Sequence, residues 1–243
     1  MLKKAALWIL VVAMLAGVLA AGERGGAAGR GQRRGMRGPG GPGMRPGGPD
    51  MSGSELEKPS VPKDDNEKKI LSVLNDILAN QRYRNVPPQD GRFLRITAES
   101  MNAKNVVEIG TSTGYSAIWF GMALQKTSGK LTTFEIDAQR AAAARANFKR
   151  AGMADIITLV EGDAHNEVKK LKDPIDILFL DADKEGYVDY LTKLLPLVRP
   201  GGLVIAHNIN PSMADPKYMK AITTDPNMET IVRSGVGLTL KKR

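Results

Sequence analysis

The chain has 243 residues, a net charge of +9 and no cysteine. This length accommodates one or two domains, and a hydrophobic fraction of 42% is enough to form a core. The lack of cysteine excludes disulfide bonds, thiolate metal ligands and a cysteine nucleophile. The two histidines, His165 and His207, leave little room for a multi-histidine metal site.

The basic excess is concentrated near the N-terminus. Residues 1–63 carry 10 Lys and Arg against 4 Asp and Glu, whereas residues 64–243 carry 25 against 22. Most of the net charge therefore lies outside the part of the chain whose pattern predicts a folded domain. Because a nucleic-acid surface needs its basic residues on the folded domain or beside aromatic side chains, we do not expect nucleic acid as a partner.

The first 21 residues predict a membrane-directed segment. Lys3 and Lys4 precede 17 residues without a charge, which indicates either a signal peptide cleaved near Ala21 or an N-terminal anchor of minimal spanning length. Five arginines follow between positions 24 and 37, and positive charge tends to stay cytoplasmic. We therefore expect an uncleaved anchor that leaves the following domain on the cytoplasmic side, with export after cleavage as the alternative.

Residues 22–63 are interpreted as a Gly/Arg/Pro-rich disordered linker. Positions 22–50 contain 12 Gly and 4 Pro and no aromatic residue, so they cannot form a packed core. Its arginines could contact anionic lipid head groups. The Arg-Gly tracts near Arg24 and Arg30 also resemble RNA-binding segments, although the interleaved aromatic residues are missing.

Residues 64–243 show the pattern of an α/β domain. Asp64 and Asp65 are candidate caps for a first helix, after which apolar strand-like segments alternate with helical ones. This alternation predicts a parallel sheet with helices on both faces. The predicted strands are 106–109, 131–136, 156–160, 175–180 and 203–206, and the predicted helices are 115–125, 138–151, 164–172, 185–197 and 216–223. Strands 229–233 and 236–240, joined by Ser234-Gly235, predict a closing antiparallel hairpin.

A glycine loop with the pattern E-x-G-x-x-x-G follows the first predicted strand, where open α/β sheets bind their ligands. Gly110 lets a ligand approach the backbone, and Gly114 opens the next helix. Ser112 stands where a dinucleotide-binding loop has its second glycine, and Glu108 would repel a pyrophosphate. The loop therefore favours a ligand that carries positive charge and amine donors.

Acidic residues also end the next two strands. Glu135 can accept two hydrogen bonds from a ribose diol, and Asp163 is placed to accept one from an adenine amine. Together with Glu108 and the glycine loop, they predict a nucleoside pocket without phosphates.

This constellation resembles the S-adenosylmethionine-dependent methyltransferases, and more closely the cation-dependent catechol and caffeoyl-CoA O-methyltransferases. The resemblance covers residues 64–243 and is carried by segments 107–116, 135–137, 180–190 and 201–208. It implies a doubly wound, mostly parallel seven-stranded sheet of the Rossmann-like methyltransferase fold, S-adenosyl-L-methionine as cofactor, a small hydroxylated acceptor and a homodimer. The residues that we assign to the cofactor are Glu108, Gly110, Ser112, Gly114, Tyr115, Ser116, Glu135, Asp163, Ala164 and His165.

The fourth and fifth strand ends carry the predicted chemistry. The resemblance implies that Asp181 binds a divalent cation, together with His207 and Asn208, and that Lys184 is the general base. The family has Asp at the position of His207, so this site has one less negative charge. Three outcomes stay open: a softer metal, weak magnesium or manganese binding, or no metal with His207 as a second acid/base group.

The sequence therefore predicts an S-adenosylmethionine-dependent O-methyltransferase that acts on a catechol-like acceptor. Two alternatives remain at this level. One is a nicotinamide-dependent oxidoreductase, and the other is a non-catalytic cofactor-binding module tethered to a membrane or to RNA.

Overall fold

The computed structural model describes residues 58–81, 83–210 and 212–243. The predicted leader, residues 1–21, and the predicted linker up to residue 57 lie outside the described residues. Within the described ranges, no helix combines the length and apolar character that crossing a membrane requires.

Two helices precede the sheet. Helix α1, Asp65–Asn80, begins after Asp64, whose side chain accepts a hydrogen bond from the Glu67 backbone as a helix cap should. Helix α2, Pro88–Ser100, was not among the predicted elements. Its sequence signals are Pro88 in the first turn, where the missing N–H costs nothing, and the buried face of Gly91, Leu94 and Ala98.

The remaining elements form one seven-stranded sheet with helices between the strands. The strand order is β3-β2-β1-β4-β5-β7-β6, in which β1 to β5 are parallel and β7 is antiparallel to both β5 and β6. This confirms the predicted parallel sheet and closing hairpin. The strands are β1 Asn105–Ile109, β2 Lys130–Glu135, β3 Ile157–Glu161, β4 Ile175–Leu180, β5 Val198–Ala206, β6 Met228–Arg233 and β7 Val236–Lys241. The helices are α3 Tyr115–Thr127, α4 Ala138–Ala151, α5 Ala164–Glu167, α6 Tyr187–Leu194 and α7 Pro216–Thr224.

Some element bounds differ from the prediction. The predicted helices 164–172 and 185–197 are shorter, because the 3-10 turns Val168–Lys170 and Lys184–Gly186 replace part of each. Strand β5 begins five residues earlier than predicted. Its first half contains Pro200-Gly201-Gly202, a sequence that is typical of a turn and so was not predicted as strand. The pairing of β4 with β5 also shifts register between Ile175 and Ile177.

The sheet separates two apolar cores because neighbouring residues of a strand face opposite sides. Val106 packs into the core that α1 to α4 cover, whereas Val107 packs into the core beneath α6 and α7. Helix α2 lies close to α3, since a Cβ atom on Gly91 would lie 2.2 Å from Trp119 Cδ1. This close approach places Asp90, next to Gly91, beside the carboxyl ends of the central strands.

Backbone hydrogen bonds align those strand ends. The Asp181 N–H donates to the Ile109 carbonyl at 2.9 Å, and the His207 N–H donates to the Leu180 carbonyl, also at 2.9 Å. The first residue after β4 is thereby fixed to the end of β1, and the first residue after β5 to the end of β4. The loops after β1, β4 and β5 consequently open at the same edge.

Glu108 of β1 is completely buried beneath the glycine loop. Its carboxyl oxygens lie 2.5 Å from Ser116 Oγ and 2.6 Å from Thr133 Oγ1. Burial raises the pKa of Glu108 to about 8, and the two hydroxyl groups oppose that shift only in part. The carboxyl group is therefore protonated at neutral pH and joins β1, β2 and α3 through neutral hydrogen bonds.

We expect Glu108 to make stability pH-dependent. Its pKa rises on folding from 4.5 to about 8. The folded protein thus holds a proton that the unfolded chain releases, and the free energy of unfolding falls as pH rises between these values. The Glu108→Gln variant, which is neutral at every pH, should lack this decline. Urea unfolding at several pH values from 5 to 8 measures the difference.

Glu161→Gln is the matched control, because Glu161 is the exposed residue paired with Glu135 across β2 and β3. It should leave the decline unchanged. If the difference in the free energy of unfolding between the wild type and Glu108→Gln does not vary with pH, the assigned protonation state is contradicted.

Candidate active site

A cavity of about 1180 Å³ opens at the carboxyl ends of the parallel strands. It holds residues from the loops after β1 to β5 and from the segment that precedes α2. The predicted site residues that line it are Gly110, Ser112, Ser116, Glu135, Asp163, Ala164, His165, Asp181, Lys184, His207 and Asn208. The sheet therefore brings together residues that span almost 100 positions of sequence.

Three residues assigned to the cofactor do not line this cavity. Glu108 lies behind Ser116 and is linked to the cavity through that hydroxyl group and, by way of Thr133, through Thr111. Gly114 caps α3 with φ 83°, and a Cβ there would lie 2.4 Å from the Phe148 ring, so this glycine is required by packing. Tyr115 is 2% exposed and packs edge-on against Trp119.

The glycine loop forms a tight turn directly against the end of β4. Gly110 has φ 99°, and a Cβ atom on it would lie 2.5 Å from the Asp181 carbonyl oxygen. Ser112 also has a positive φ, 49°, and its N–H donates to Glu135 Oε2 at 2.7 Å. The loop therefore connects the predicted ribose acid on one side with the predicted catalytic acid on the other.

Glu135 is 5% exposed and already accepts several hydrogen bonds. Besides Ser112, the Asp137 N–H donates to Oε1 at 3.0 Å, and Arg140 Nη2 lies 2.9 Å from the same oxygen. Since a carboxylate offers about four acceptor positions, one remains free for a ribose hydroxyl, and a second becomes free if Arg140 moves. Arg140 is 38% exposed and can move towards solvent.

Asp163 and His165 form the far wall. Asp163 caps α5, accepting from the His165 N–H and from Asn166 Nδ2, both at 2.9 Å. The His165 ring stacks on Tyr190 with 4.4 Å between ring centres. Its Nδ1 lies 2.5 Å from Asp189 Oδ2, and this hydrogen bond raises the pKa of His165. The wall thus offers acceptors and a flat aromatic surface.

Lys184 is only 19% exposed and is held by two acceptors. Its Nζ lies 3.2 Å from Asp181 Oδ1 and 2.7 Å from the Tyr187 hydroxyl oxygen. The Tyr187 hydroxyl donates to the Leu180 carbonyl at 2.8 Å, so it accepts from Lys184. Asp181 does not cap α6, whose N-terminus shows no side-chain cap. Lys184 is accordingly positioned by the protein rather than solvated.

His207 stands between two carboxylates. Its Nε2 lies 2.8 Å from Asp90 Oδ2, whereas its buried Nδ1 lies 3.4 Å from Asp181 Oδ1 and makes no hydrogen bond within the described structure. Burial favours the neutral ring, but the two carboxylates outweigh it and raise the pKa of His207 to about 9. Asp90 was not predicted as a site residue, because helix α2 itself was not recognised.

This arrangement does not fit the predicted divalent cation. No group of three or more His, Asp or Glu side chains that could hold a metal occurs among the described residues. Asp90 and Asp181 face opposite nitrogens of one imidazole ring, so they do not converge on a common point. Asp181 Oδ1 also has Lys184 beside it. The cation at Asp181, His207 and Asn208 stays a prediction that these contacts do not favour.

The cavity does fit a positively charged nucleoside. Carboxylates of Glu135, Asp163 and Asp183 line it, and Gly110 leaves open backbone at its base. Its volume accommodates a nucleoside cofactor together with a small acceptor, as pockets for drug-sized ligands measure about 300–1,000 Å³.

Comparison with known proteins agrees with this geometry. Residues 62–240 match the model of a family described as O-methyltransferase. A catechol O-methyltransferase of Niastella koreensis is 38% identical over 165 residues, covering 66% of this chain and 73% of that protein. A caffeoyl-CoA O-methyltransferase of Eucalyptus globulus is 32% identical over 204 residues, covering 73% of this chain and 82% of that protein.

Solved structures show the same similarity. An O-methyltransferase from Bacillus cereus in complex with SAH (S-adenosylhomocysteine) has a TM-score of 0.62 and 28% identity, covering 75% of this chain and 93% of that one. A structure described as a putative O-methyltransferase, from Klebsiella pneumoniae, has a TM-score of 0.65 and 30% identity, covering 78% and 96%. The match over residues 62–240 also excludes the nicotinamide-dependent alternative, and the chain belongs to the S-adenosylmethionine-dependent O-methyltransferase family.

Proposed function

We propose that this O-methyltransferase methylates a hydroxyl group of a small catechol-like acceptor, with Lys184 as the general base. The observation that carries the proposal is the contact between the glycine loop and the end of β4, where Gly110 packs against the Asp181 backbone. Lys184 in turn contacts Asp181, which supports a reaction between a cofactor bound at the loop and an acceptor beside Lys184. The names of the relatives, catechol and caffeoyl-CoA O-methyltransferase, support a phenolic acceptor.

The cofactor supplies a methyl group on a positively charged sulfur, which an oxygen lone pair can displace. Ser112, Glu135 and Asp163 hold the nucleoside end, with Glu135 accepting from the ribose. The acidic lining favours the positive charge of the cofactor. Binding both reactants in one cavity removes much of the entropic barrier to their reaction.

Lys184 is placed to take the proton of the acceptor hydroxyl. A neutral amine has two N–H groups and one lone pair. Asp181 and Tyr187 provide the two acceptors for the N–H groups, so the lone pair is left for the cavity. Proton transfer to Nζ leaves an oxygen anion, which attacks the methyl carbon. A new O–C bond forms, and the bonding electrons of the broken S–C bond remain on sulfur.

We expect the full-length protein to transfer a labelled methyl group from S-adenosylmethionine to vicinal diphenols. Scintillation counting of extracted product measures transfer across a panel of diphenols and monophenols. The Lys184→Met variant should lower kcat at least about 100-fold, as expected for a lost general base, while cofactor affinity stays unchanged.

Lys170→Met provides the control, because Lys170 is exposed and remote from the cavity. Binding of S-adenosylmethionine without transfer to any diphenol would refute the acceptor class. Near-normal turnover by Lys184→Met would refute the general base.

Cofactor binding provides a separate prediction. The Glu135→Gln variant should weaken S-adenosylmethionine binding about tenfold or more, because a charged acceptor that also fixes Ser112 is lost. Isothermal titration calorimetry measures the Kd. Glu161→Gln, one strand away at the same level of the sheet, should bind like the wild type. Equal affinities for all three proteins would remove Glu135 from the cofactor site.

We further propose that residues 1–21 remain attached as a membrane anchor and leave the enzyme on the cytoplasmic side. The arginines that follow residue 21 support this orientation. So does the chemistry, since the cofactor is made in the cytoplasm. A reporter that is active only in the cytoplasm, fused after Arg243, should be active and should be found in the membrane fraction. Activity confined to an exported reporter, with cleavage near residue 21, would contradict the anchor.

A further inference from the structure

The segment between α1 and α2 forms one side of the cavity mouth. Residues 83–87 line the cavity, and Asp90, in the first turn of α2, contacts His207 directly after β5. The ring of His207 lies 3.4 Å from Asp181, which in turn contacts Lys184. The segment therefore borders the end of the cavity that holds the proposed general base.

Side-chain hydrogen bonds hold this segment against the rest of the domain. Gln81 and the buried Asn147 exchange two hydrogen bonds, 2.9 and 3.1 Å long. Asn85 Oδ1 accepts from Thr113 Oγ1 of the glycine loop at 2.9 Å. Arg84 lies between these two anchored residues, so the backbone that carries it has a defined place at the mouth.

Arg84 is the one charged side chain lining the cavity that makes no hydrogen bond or ion pair within the described structure. The acidic residues of the cavity all accept a hydrogen bond from the protein: Glu135, Asp163, Asp181 and Asp183. Arg140 and Lys184 pair with two of these carboxylates, and both histidines contact an aspartate. Because arginine is permanently charged and Arg84 is exposed, its guanidinium group can bind an anion that enters the mouth.

Tyr83 and Met213 add apolar surface to the same mouth. Both line the cavity, and they are 45% and 44% exposed. Met213 belongs to the loop that follows β5, so the two side chains come from different parts of the chain. An aromatic acceptor that contacts them would cover apolar surface that is otherwise exposed to water. The mouth thus combines apolar surface for a ring with a cation for an acidic substituent.

We propose that Arg84 binds a carboxylate group of the acceptor, and that the substrates of this protein are diphenols with an acidic side group. Guanidinium and carboxylate groups can form two parallel hydrogen bonds, which orient a ligand as well as hold it. That the acceptor is a diphenol rests on the proposed function. The preference of the mouth for a carboxylate does not depend on methyl transfer.

The other charges of the cavity are compatible with an anionic acceptor. Asp181 is offset by Lys184, and Glu135 is offset by Arg140. The positive charge on the sulfur of S-adenosylmethionine attracts an anion and repels an ammonium group. An acceptor that carries an amine would meet two like charges, one on the cofactor and one on Arg84.

The first experiment measures acceptor binding without methyl transfer. Isothermal titration calorimetry is carried out on the full-length protein, saturated with S-adenosylhomocysteine and with magnesium present throughout. The ligands are protocatechuate and caffeate, whose carboxylates differ in their distance from the diphenol ring, and the neutral amide of each. We expect at least one carboxylate to bind at least about tenfold more tightly than its amide, because it gains a charged pair of hydrogen bonds.

The Arg84→Gln variant should reduce this preference to less than about twofold, chiefly through weaker binding of the carboxylate. Arg145→Gln is the matched control, since Arg145 is an exposed arginine of α4 that does not line the cavity, and it should keep the preference. Equal binding of carboxylates and amides by the wild type would overturn the inference. A preference that persists in Arg84→Gln would overturn it as well.

The second experiment measures methyl transfer to the same acceptors and to dopamine, which carries an amine. We expect kcat/KM to decrease from carboxylate to amide to amine. The difference should lie mainly in KM, because Arg84 contacts the substituent and not the reacting hydroxyl group. Equal kcat/KM for the three classes would overturn the inference. If no diphenol is methylated but carboxylates still bind through Arg84, the proposed function fails and the anion-binding role of Arg84 is confirmed.

Discussion

The pairing of β1 with β4 is the constraint on which the site depends. The hydrogen bond from the Asp181 N–H to the Ile109 carbonyl fixes the end of one strand to the end of the other. Gly110 follows Ile109 directly, and only a residue without a side chain can lie against the Asp181 carbonyl. The glycine loop and the turn that carries Asp181 and Lys184 are therefore held together by backbone geometry, and no side-chain contact between them is needed.

The same sheet edge separates two kinds of electrostatic environment. At one end of the cavity, Glu135 and Asp163 line it with carboxylates, which suits a ligand with positive charge. At the other end, carboxylates are paired, Asp90 with His207 and Asp181 with Lys184. We propose that the nucleoside binds at the first end and that the acceptor hydroxyl enters at the second, beside Lys184.

Beneath the loop, Glu108 has a structural role that differs from the one first assigned to it. As a free acid it would have favoured a cationic ligand by charge. Buried between Ser116 and Thr133, it is protonated at neutral pH and acts through hydrogen bonds. The network reaches the cavity through Ser116 and, by way of Thr133, through Thr111.

The sequence by itself determined the order of strands and helices, the glycine loop and the acids at the strand ends. Each of these is a local signal, because a buried strand is a short apolar run and its ligand-binding residues follow it directly in the chain. Helix α2 escaped recognition because its buried face is small, with Gly91 and Ala98 among its three buried residues. The partner of His207 was missed for the same reason, since Asp90 and His207 are 117 positions apart. Only the tertiary structure brings them together, because the close contact of Gly91 with Trp119 moves α2 against the strand ends. Residue type marked position 207 as unusual, but the charge of that histidine depends on neighbours that packing alone supplies.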